Sequence, residues 1–371
     1  MKTKLRRIAT SVLRMSVGAC YGYAAIMPLA KTADSTDRWL LATGPLFFLL
    51  IFVNFLGGFI VSVALHELGH VVAGKLAGFR FAFMIFWPVQ IHKSGEKALR
   101  IRFRTRTGLG LGGLAGMVPQ AGSDFRKAYM KMIAGGPLAS LLSFCVFTSV
   151  AISLGLGRNL IGSVLWNIGL TSLLLFVSSI LPRKTAGYLS DGAILQLMRW
   201  GDEKAVQRYL VLFEMASKIA SGTRPAAIAP EGLTVLADLE PAEPSFFNAR
   251  HLAFLHAADT GNLAAARGFI NEIQQNLAQA PLLFRSKYNL DEAWLLAREG
   301  HTEKARELLK VNQNGLVEPC EIRLVEAEIA LAEGKPEDAR RIALESLALI
   351  DQSMTPSAHA FARHRIKQII I

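Results

Sequence analysis

The feature that most constrains this chain is an uncharged hydrophobic run from Trp39 to Leu65. A bilayer core about 30 Å thick needs roughly 20 apolar residues in an α-helix, so a run of this length can span a membrane with some tilt. A helix also satisfies its own backbone hydrogen bonds, which lipid cannot do. The run therefore predicts a membrane helix over 39–77, ended by Gly78.

The composition supports a membrane protein. The chain has 371 residues, of which 51% are hydrophobic, and its mean hydropathy of +0.32 is too high for an ordinary soluble protein. The net charge of +12 is compatible with three interpretations: binding to nucleic acid, binding to an anionic membrane face, or basic cytoplasmic loops of a membrane protein. These residues lie mostly beside apolar runs and form no distinct basic stripe, so we expect a lipid bilayer and no nucleic acid as partner.

Further apolar segments predict about four spans, over 8–30, 39–77, 132–157 and 159–182. A signal peptide is the competing interpretation of the first segment, but Arg14 splits the apolar region that such a signal needs. Lys and Arg are concentrated in the N-terminal tail, between the second and third spans, and after the last span. The positive-inside rule then predicts a multi-pass protein with both termini cytoplasmic. We expect it to be an integral protein of a bacterial inner (plasma) membrane.

Residues 79–104 alternate between apolar and polar side chains on either side of a turn sequence at 93–97. This pattern predicts a β-hairpin with one apolar and one basic face, suited to the membrane interface. Pro88 confines its strand to an edge or a bulge. The glycine-rich segment 107–122 lacks a following Gly-Lys-Ser/Thr, so it predicts a mobile connection rather than a phosphate-binding loop.

Beyond about residue 200 the chain becomes more charged, and prolines interrupt it through 224–244. A degenerate pattern of glycine followed by Ala-Arg then recurs at spacings of 39 and 34 residues, beginning at Gly261, Gly300 and Gly334. The pattern resembles tetratricopeptide repeats, in which paired helices form a surface for partner proteins. We therefore expect an adaptor protein as a possible partner of this region.

Together these patterns predict an all-α membrane protein with about four transmembrane helices and an interfacial β-hairpin. The predicted domains are a transmembrane domain over 1–200, a linker helix with a Pro-rich connection over 201–244, and a cytoplasmic helical repeat domain over 245–371.

The chemistry-bearing pattern is His66-Glu67-Leu68-Gly69-His70, at the end of the apolar run. Histidines four residues apart lie on one face of a helix, so both can bind one metal ion, and the glutamate between them can act on water. The three cysteines lie far apart, so any further ligand is a carboxylate. Glu96 and Asp191 are the candidates. Asp191 follows a span that returns to the same membrane side, although Asp-Gly is also common in turns and helix caps.

Three ordered motifs resemble the signatures of the site-2 protease family of intramembrane metalloproteases. They are the His66–His70 pattern, the small-residue segment Gly135–Ser140, and Leu181-Pro182 followed by Ser190-Asp191-Gly192. The resemblance implies one zinc ion per chain on His66, His70 and Asp191, with Glu67 as the catalytic general base. It also implies a membrane protein or peptide substrate that the hairpin holds in an extended form.

The chain departs from the family at the Asn that precedes the Pro of the last motif, because Ser179 stands there. Ser179 and Asn167 are the candidate replacements. The predicted function is hydrolysis of peptide bonds in membrane-embedded or membrane-associated substrates. The alternatives are a non-proteolytic membrane scaffold that acts through its helical repeats, and a membrane peptidase that trims soluble or secreted peptides.

Overall fold

The fold is that of a computed structural model, which describes residues 21–28, 30–31, 45–94, 98–103, 112–119, 124–156, 158–185, 188–243, 245–311, 317–353 and 355–371. It is mostly helical and contains a small antiparallel sheet. The described residues divide into two compact units. The first is drawn from Met1–His70 and Gly135–Ile180, and the second from Val71–Ala134 and Leu181–Ile371.

From residue 45 onward, the described part of the chain passes from long apolar helices and short strands to shorter, more charged helices. In chain order they are α1 Pro45–Leu76, β1 Phe79–Phe86, β2 Val89–Ser94, β3 Ala98–Phe103, β4 Gly113–Pro119, α2 Phe125–Ser153, α3 Leu160–Ile180, β5 Lys184–Thr185, β6 Tyr188–Leu189, α4 Asp191–Trp200, α5 Glu203–Ala220, α6 Pro230–Val235, α7 Phe246–Asp259, α8 Leu263–Gln275, α9 Leu282–Arg298, α10 Thr302–Val311, α11 Pro319–Ala332, α12 Pro336–Ile350 and α13 Ala360–Ile370.

Within the described residues, three helices are long and apolar enough to cross a membrane, namely Phe48–Leu76, Phe125–Ser153 and Leu160–Ile180. These correspond to the last three predicted spans. Of the predicted span 8–30, residues 21–28 and 30 are helical, and the remainder lies outside the described residues. The count of four spans therefore stays a prediction.

Helix α2 differs from its predicted span of 132–157 at both ends. It begins at Phe125, so Pro137 lies more than three turns inside the helix rather than near its first residue. The hydropathy pattern excluded the first turns because they carry basic side chains. The helix ends at Ser153 because Gly155 adopts a positive φ of 77°, which an α-helix cannot continue through.

The first unit is held together by close helix contacts and buried polar side chains. Ser62 Oγ donates to the carbonyl oxygen of Ile168 at 3.1 Å, and Ser172 Oγ donates to Ser62 Oγ at 3.2 Å. Asn167 Nδ2 donates to the carbonyl oxygen of Asn54 at 2.7 Å. In lipid, interhelical hydrogen bonds and small residues stabilise helix packing where the hydrophobic effect is absent. These contacts hold α3 against α1, the helix that carries the two histidines.

The four-stranded sheet is antiparallel in the order β3-β2-β1-β4, so it is larger than the predicted hairpin over 79–104. A turn at Trp87-Pro88 divides the expected first strand into β1 and β2. The glycine-rich segment supplies the fourth strand, β4, whereas the sequence predicted a mobile connection. Gly116 lies opposite Phe83, and a Cβ at this position would collide with the Phe83 ring. Because Gly116 has no side chain, the Phe83 ring can pack over β4.

The sheet shares one hydrophobic core with the first part of α2 and with α4 and α5. Phe79, Met84 and Met117 come from the strands, and Tyr129 and Met198 come from the helices. Arg126 on α2 donates to the carbonyl oxygen of Met198 at the end of α4, 2.8 Å from its Nε. This core therefore positions α4, whose first residue is Asp191.

The C-terminal region contains, in its described part, the helix pairs α7–α8, α9–α10 and α11–α12. Each pair is joined by a turn in which a glycine of the repeating pattern has a positive φ, namely Gly261, Gly300 and Gly334. The alanine that follows in each pattern is fully buried, at positions 266, 305 and 339. Small residues at these positions allow close helix packing. Assignment of the pairs to the tetratricopeptide type stays a prediction.

The Pro-rich segment between the sheet and these pairs packs into their core. Leu212 of α5, Ile228 and Leu236 are buried in one cluster with Phe246 and Phe254 of α7. The domain boundaries predicted at residues 200 and 245 stay predictions.

Candidate metal centre

Helix α1 presents its chemistry-bearing side chains on a buried face. His66, Glu67 and His70 are 8%, 6% and 8% exposed, whereas Leu68 and Val72 on the same turns are about half exposed. Residues i and i+4 share a helix face, so the two imidazoles stack one turn apart with ring centroids separated by 4.9 Å. The helix thus keeps its apolar side outward and brings both histidines into the protein interior.

Small residues allow α2 to approach α1 closely at this level. A Cβ on Gly69 would lie under 3.0 Å from the carbonyl oxygen of Gly135 and from Cβ of Ala139. Real Cβ atoms almost never make contacts that short. The backbones of the two helices can therefore come together only because position 69 has no side chain.

Gly136 leaves space in front of both imidazoles. A Cβ at this position would lie 2.8 Å from Nε2 of His66 and still closer to Nε2 of His70. Both Nε2 atoms therefore face the same small space, which any larger residue would fill. This cradle fits a small metal ion bound by the two histidines.

Ser140, one turn further along α2, orients the first histidine. Its Oγ lies 2.9 Å from Nδ1 of His66, and the serine is completely buried. When Nε2 is the metal ligand, Nδ1 carries the proton and donates it to the serine oxygen. Such a partner determines both the tautomer and the orientation of a metal-binding imidazole.

Asp191 is the first residue of α4, and the cap of that helix is its neighbour Ser190. Ser190 Oγ accepts a hydrogen bond from the Ala193 amide at 3.2 Å and donates to the carbonyl oxygen of Leu181 at 2.7 Å. The aspartate is thus not the helix cap that its Asp-Gly sequence also allowed. Ile194 and Met198, three and seven residues later, are buried on the same helix face. The amphipathic pattern of α4 therefore orients Asp191 inward.

His66, His70 and Asp191 form a group that could hold a metal ion. Each histidine offers an imidazole nitrogen, and Asp191 offers a carboxylate oxygen. Two imidazoles and one carboxylate are a donor set typical of catalytic zinc, which keeps a further coordination position open. The donor set and the space beside Gly136 both fit zinc. The other candidate ligand, Glu96, lies outside the described residues.

Tyr209 on α5 lies within electrostatic range of Asp191. Burial raises the pKa of the Tyr209 phenol, and the negative charge of Asp191 raises it further. The phenol therefore remains protonated near the carboxylate. Its hydroxyl lies 3.5 Å from that of Tyr129 on α2.

The two candidate replacements for the family's Asn occupy different environments. Asn167 is completely buried, donates to the carbonyl oxygen of Asn54 and accepts a hydrogen bond from Tyr21 at 3.1 Å. Ser179 is only half-buried, and its Oγ donates to the carbonyl oxygen of Phe176 at 3.3 Å. Asn167 thus already contributes to helix packing.

Sequence reasoning did not identify Gly136 and Ser140 as parts of the site. It identified the segment Gly135–Ser140 only as a run of small residues that resembles one of the three family motifs. The signal was present as a glycine and a serine four residues apart, which share one face of α2. Only the contacts with the imidazoles of His66 and His70 show that this face of α2 lines the candidate site.

A comparison with models of known protein families identifies the family of the chain. The family model described as Peptidase family M50 matches residues 54–333. The chain belongs to peptidase family M50. No curated protein and no solved structure matches it.

Membership agrees with the site and with the membrane helices. M50 peptidases are zinc-dependent, and His66, His70 and Asp191 could hold such an ion. The M50 match and the three apolar helices together indicate a membrane metalloprotease. The matched range begins within α1 and includes the α1 and α2 residues described above and Asp191.

Proposed function

We propose that the chain is an intramembrane zinc metalloprotease that hydrolyses peptide bonds of membrane-embedded or membrane-associated substrates. The observation that carries this proposal is the donor set of His66, His70 and Asp191, which could hold a metal ion, with Glu67 buried between the two histidines on a membrane-type helix. We propose that this site binds one zinc ion per chain. We place the site at the C-terminal turns of α1, which carry His66, Glu67 and His70.

The chemistry that zinc supplies in such a site is polarisation of the substrate carbonyl and a lower pKa for water. Glu67 takes a proton from the attacking water as the new C–O bond forms. The same carboxyl then gives the proton to the leaving nitrogen as the C–N bond breaks, so the residue returns to its starting state. Ser140 keeps His66 in the tautomer that leaves Nε2 free for the metal.

Stabilisation of the developing oxyanion requires a hydrogen-bond donor. Ser179 is the stronger of the two candidates, because it is only half-buried and bonds within its own helix, whereas the Asn167 amide is buried in a contact with another helix. Loss of one such donor typically costs about a hundredfold in rate.

The edge of the sheet offers a surface for an unwound substrate. Strand β3 lies at one edge, and its side chains Leu99, Ile101 and Phe103 are 63%, 63% and 79% exposed. An extended peptide that adds to such an edge gains main-chain hydrogen bonds, while apolar side chains contact its alternate residues. A helical substrate hides its peptide bonds, so pairing with β3 would favour the extended form that can be cleaved.

The proposal includes an orientation and a partner. Because Lys and Arg follow α3 and precede α2, both termini lie in the cytoplasm of a bacterial inner membrane, with the site toward that side. The helix pairs beyond residue 245 then lie in the cytoplasm, where they bind an adaptor or the substrate.

The decisive experiment compares two variants in the full chain. Glu67→Gln keeps the metal ligands, so we expect zinc at one per chain and at least a hundredfold loss of cleavage. Asp191→Ala removes a ligand, so zinc and cleavage should both be lost. Glu231→Gln, an exposed carboxylate on α6, is the matched control and should retain both.

The assay uses a reconstituted transmembrane peptide with a helix-breaking centre and the same sequence as a soluble peptide. Preferred cleavage of the membrane form supports the proposal, and preferred cleavage of the soluble form favours the trimming peptidase instead. Full activity in Glu67→Gln contradicts the mechanism. Purified protein that binds no zinc favours the scaffold.

A further inference from the structure

A polar cavity lies in the second unit, between the four-stranded sheet, the end of α5 and residues 355–357. Its volume is about 260 Å³, and its polar lining includes Arg80, His92, Lys93, Ser221 and Thr355. None of the described residues that line it is acidic. The cavity is slightly smaller than the roughly 300–1,000 Å³ of pockets that hold drug-sized ligands, so it suits a small one.

His92 is the unusual residue of this cavity. It is 1% exposed, and neither Nδ1 nor Nε2 forms a hydrogen bond with the described residues. Buried polar groups nearly always have a partner, so an imidazole with two unpaired nitrogens in a cavity wall indicates a ligand. Nε2 of Gln90, two residues earlier on the same strand face, is also buried and unpaired.

The surroundings of His92 are strongly cationic. Arg100 and Arg102 lie directly across from His92 and Gln90 on β3, while Arg80 and Lys93 line the cavity itself. Arg102 donates to the carbonyl oxygens of Asp351, Gln352 and Ser353, which are neutral acceptors. Burial lowers the pKa of His92, and the charges of Arg102 and Arg100 lower it further.

We propose that this cavity binds a phosphate group carried by a small polar molecule, through Arg80, Lys93 and His92. A phosphate presents several acceptor oxygens, which can receive hydrogen bonds from a guanidinium, an ammonium and an imidazole at once. A phosphate also brings negative charge to a cavity whose surroundings carry the positive charges of Arg80, Arg100 and Arg102. A phospholipid headgroup and a soluble phosphate ester share this chemistry.

The site lies at a junction in the second unit. Arg80 and His92 belong to β1 and β2, while the opposite wall comes from the end of α5 and from residues 355–357. Ser357 Oγ donates to the carbonyl oxygen of Ala220, which holds that wall together at 2.6 Å. A bound phosphate would link the sheet to these C-terminal segments, and so would protect both from hydrogen exchange.

The test uses the full chain in an uncharged detergent, titrated calorimetrically with inorganic phosphate and with glycerol 3-phosphate. We expect binding that weakens at least tenfold in Arg80→Gln and in Lys93→Gln, and that is lost in the double variant. Lys304→Gln with Arg340→Gln makes the same charge change on exposed helix surfaces of α10 and α12 and should bind normally. Glycerol at matched ionic strength should give no heat.

A second experiment, with the protein in lipid nanodiscs, identifies which kind of molecule carries the phosphate. The chain is extracted from nanodiscs that contain phosphatidylcholine with or without phosphatidylglycerol, and retained lipid is counted by native mass spectrometry. Loss of retained phosphatidylglycerol in the double variant supports a headgroup ligand, and calorimetric binding without retained lipid supports a soluble ester. Absence of both, or an equal loss in the charge-matched control, overturns the proposal.

His92→Leu separates a ligand role from a structural one. Removal of an unpaired buried imidazole should raise the thermal unfolding midpoint without phosphate, while the stabilisation that phosphate gives to the unaltered chain disappears. A lower midpoint with the phosphate effect intact would show that His92 serves the fold, and would overturn its part in the site.

Discussion

Ser140 is positioned to orient His66 in the proposed zinc site without contacting the metal. Its Oγ lies 2.9 Å from Nδ1 of His66, and the serine is fully buried. Partners of this kind set the tautomer and orientation of a ligand, and their loss commonly lowers metal affinity by 10- to 100-fold.

We therefore expect Ser140→Ala to weaken zinc binding by about 10- to 100-fold, because Nδ1 of His66 loses its acceptor. Competition with a fluorescent zinc chelator measures the affinity. Ser143→Ala, a buried serine on the same helix, is the matched control and should bind zinc normally. Equal affinity in Ser140→Ala and in the unaltered chain would show that His66 does not depend on this bond.

At the scale of elements, the approach of α1 to α2 brings the histidines to the cradle at Gly136. The approach depends on Gly69, where a Cβ would meet Gly135 and Ala139 at under 3.0 Å. Gly57 lies on the same helix but has nothing within 4 Å of such an atom.

Gly69→Ala should therefore destabilise the protein by about 1–3 kcal/mol, as expected for overpacking, and should reduce cleavage because the helices separate at the site. Gly57→Ala should leave stability unchanged or raise it by up to about 1 kcal/mol, because alanine favours a helix. Thermal unfolding in detergent and zinc content measure both effects. If the two variants behave alike, the close approach at Gly69 does not constrain the helices.

The C-terminal helices are joined by a buried carboxylate, that of Glu328 on α11. It accepts hydrogen bonds from Trp294 on α9 at 3.2 Å and from Arg365 on α13 at 2.7 Å, and it lies 3.5 Å from Nη1 of Arg298. One side chain thus connects three helices.

Glu328→Ala should cost about 3–5 kcal/mol, because it leaves the Arg365 charge and the Trp294 indole without their acceptor in the interior. Glu326→Ala removes an exposed partner of Arg323 on the same helix and should cost at most about 1 kcal/mol. Chemical unfolding of the two variants measures the difference. A small effect of Glu328→Ala would indicate that the helices rely on apolar packing alone.

At the scale of the whole molecule, buried imidazoles make stability depend on pH. Burial lowers the pKa of His359, and the positive charges of Lys287 and Arg363 lower it further, against the opposing effect of Glu321. The neighbouring thiol of Cys320 does not titrate in this range, because burial raises its pKa to about 12.

Near pH 6 the folded state therefore binds fewer protons at His359 than the unfolded state does. Stability should fall as pH drops from about 7.5 through 6.5, the ordinary value for histidine, and below it. Carboxylates with a lowered pKa, such as that of Glu321, lose their contribution only below their ordinary range near 4.

Unfolding at pH 7.5 and 5.5 measures this dependence. His359→Asn should flatten it, whereas His301→Asn, an exposed control on the same unit, should not. An unchanged slope in His359→Asn would show that other groups account for the dependence.

The sequence by itself determined the apolar helices and the placement of His66 and His70 on one face of a helix. Each follows from a local rule, because helix periodicity and hydropathy act over a few residues. The paired helices beyond residue 245 were likewise visible as glycine and alanine at regular spacings.

Only the tertiary structure decided which residues complete the site. The partnership of Ser140 with His66 and the space at Gly136 depend on how α2 packs against α1, which no local pattern states. The strand at Gly113–Pro119 escaped prediction because its glycines suggest a loop, while the Phe83 ring that covers Gly116 comes from another strand. Contacts between residues distant in sequence are set by packing, so the sequence alone could not specify them.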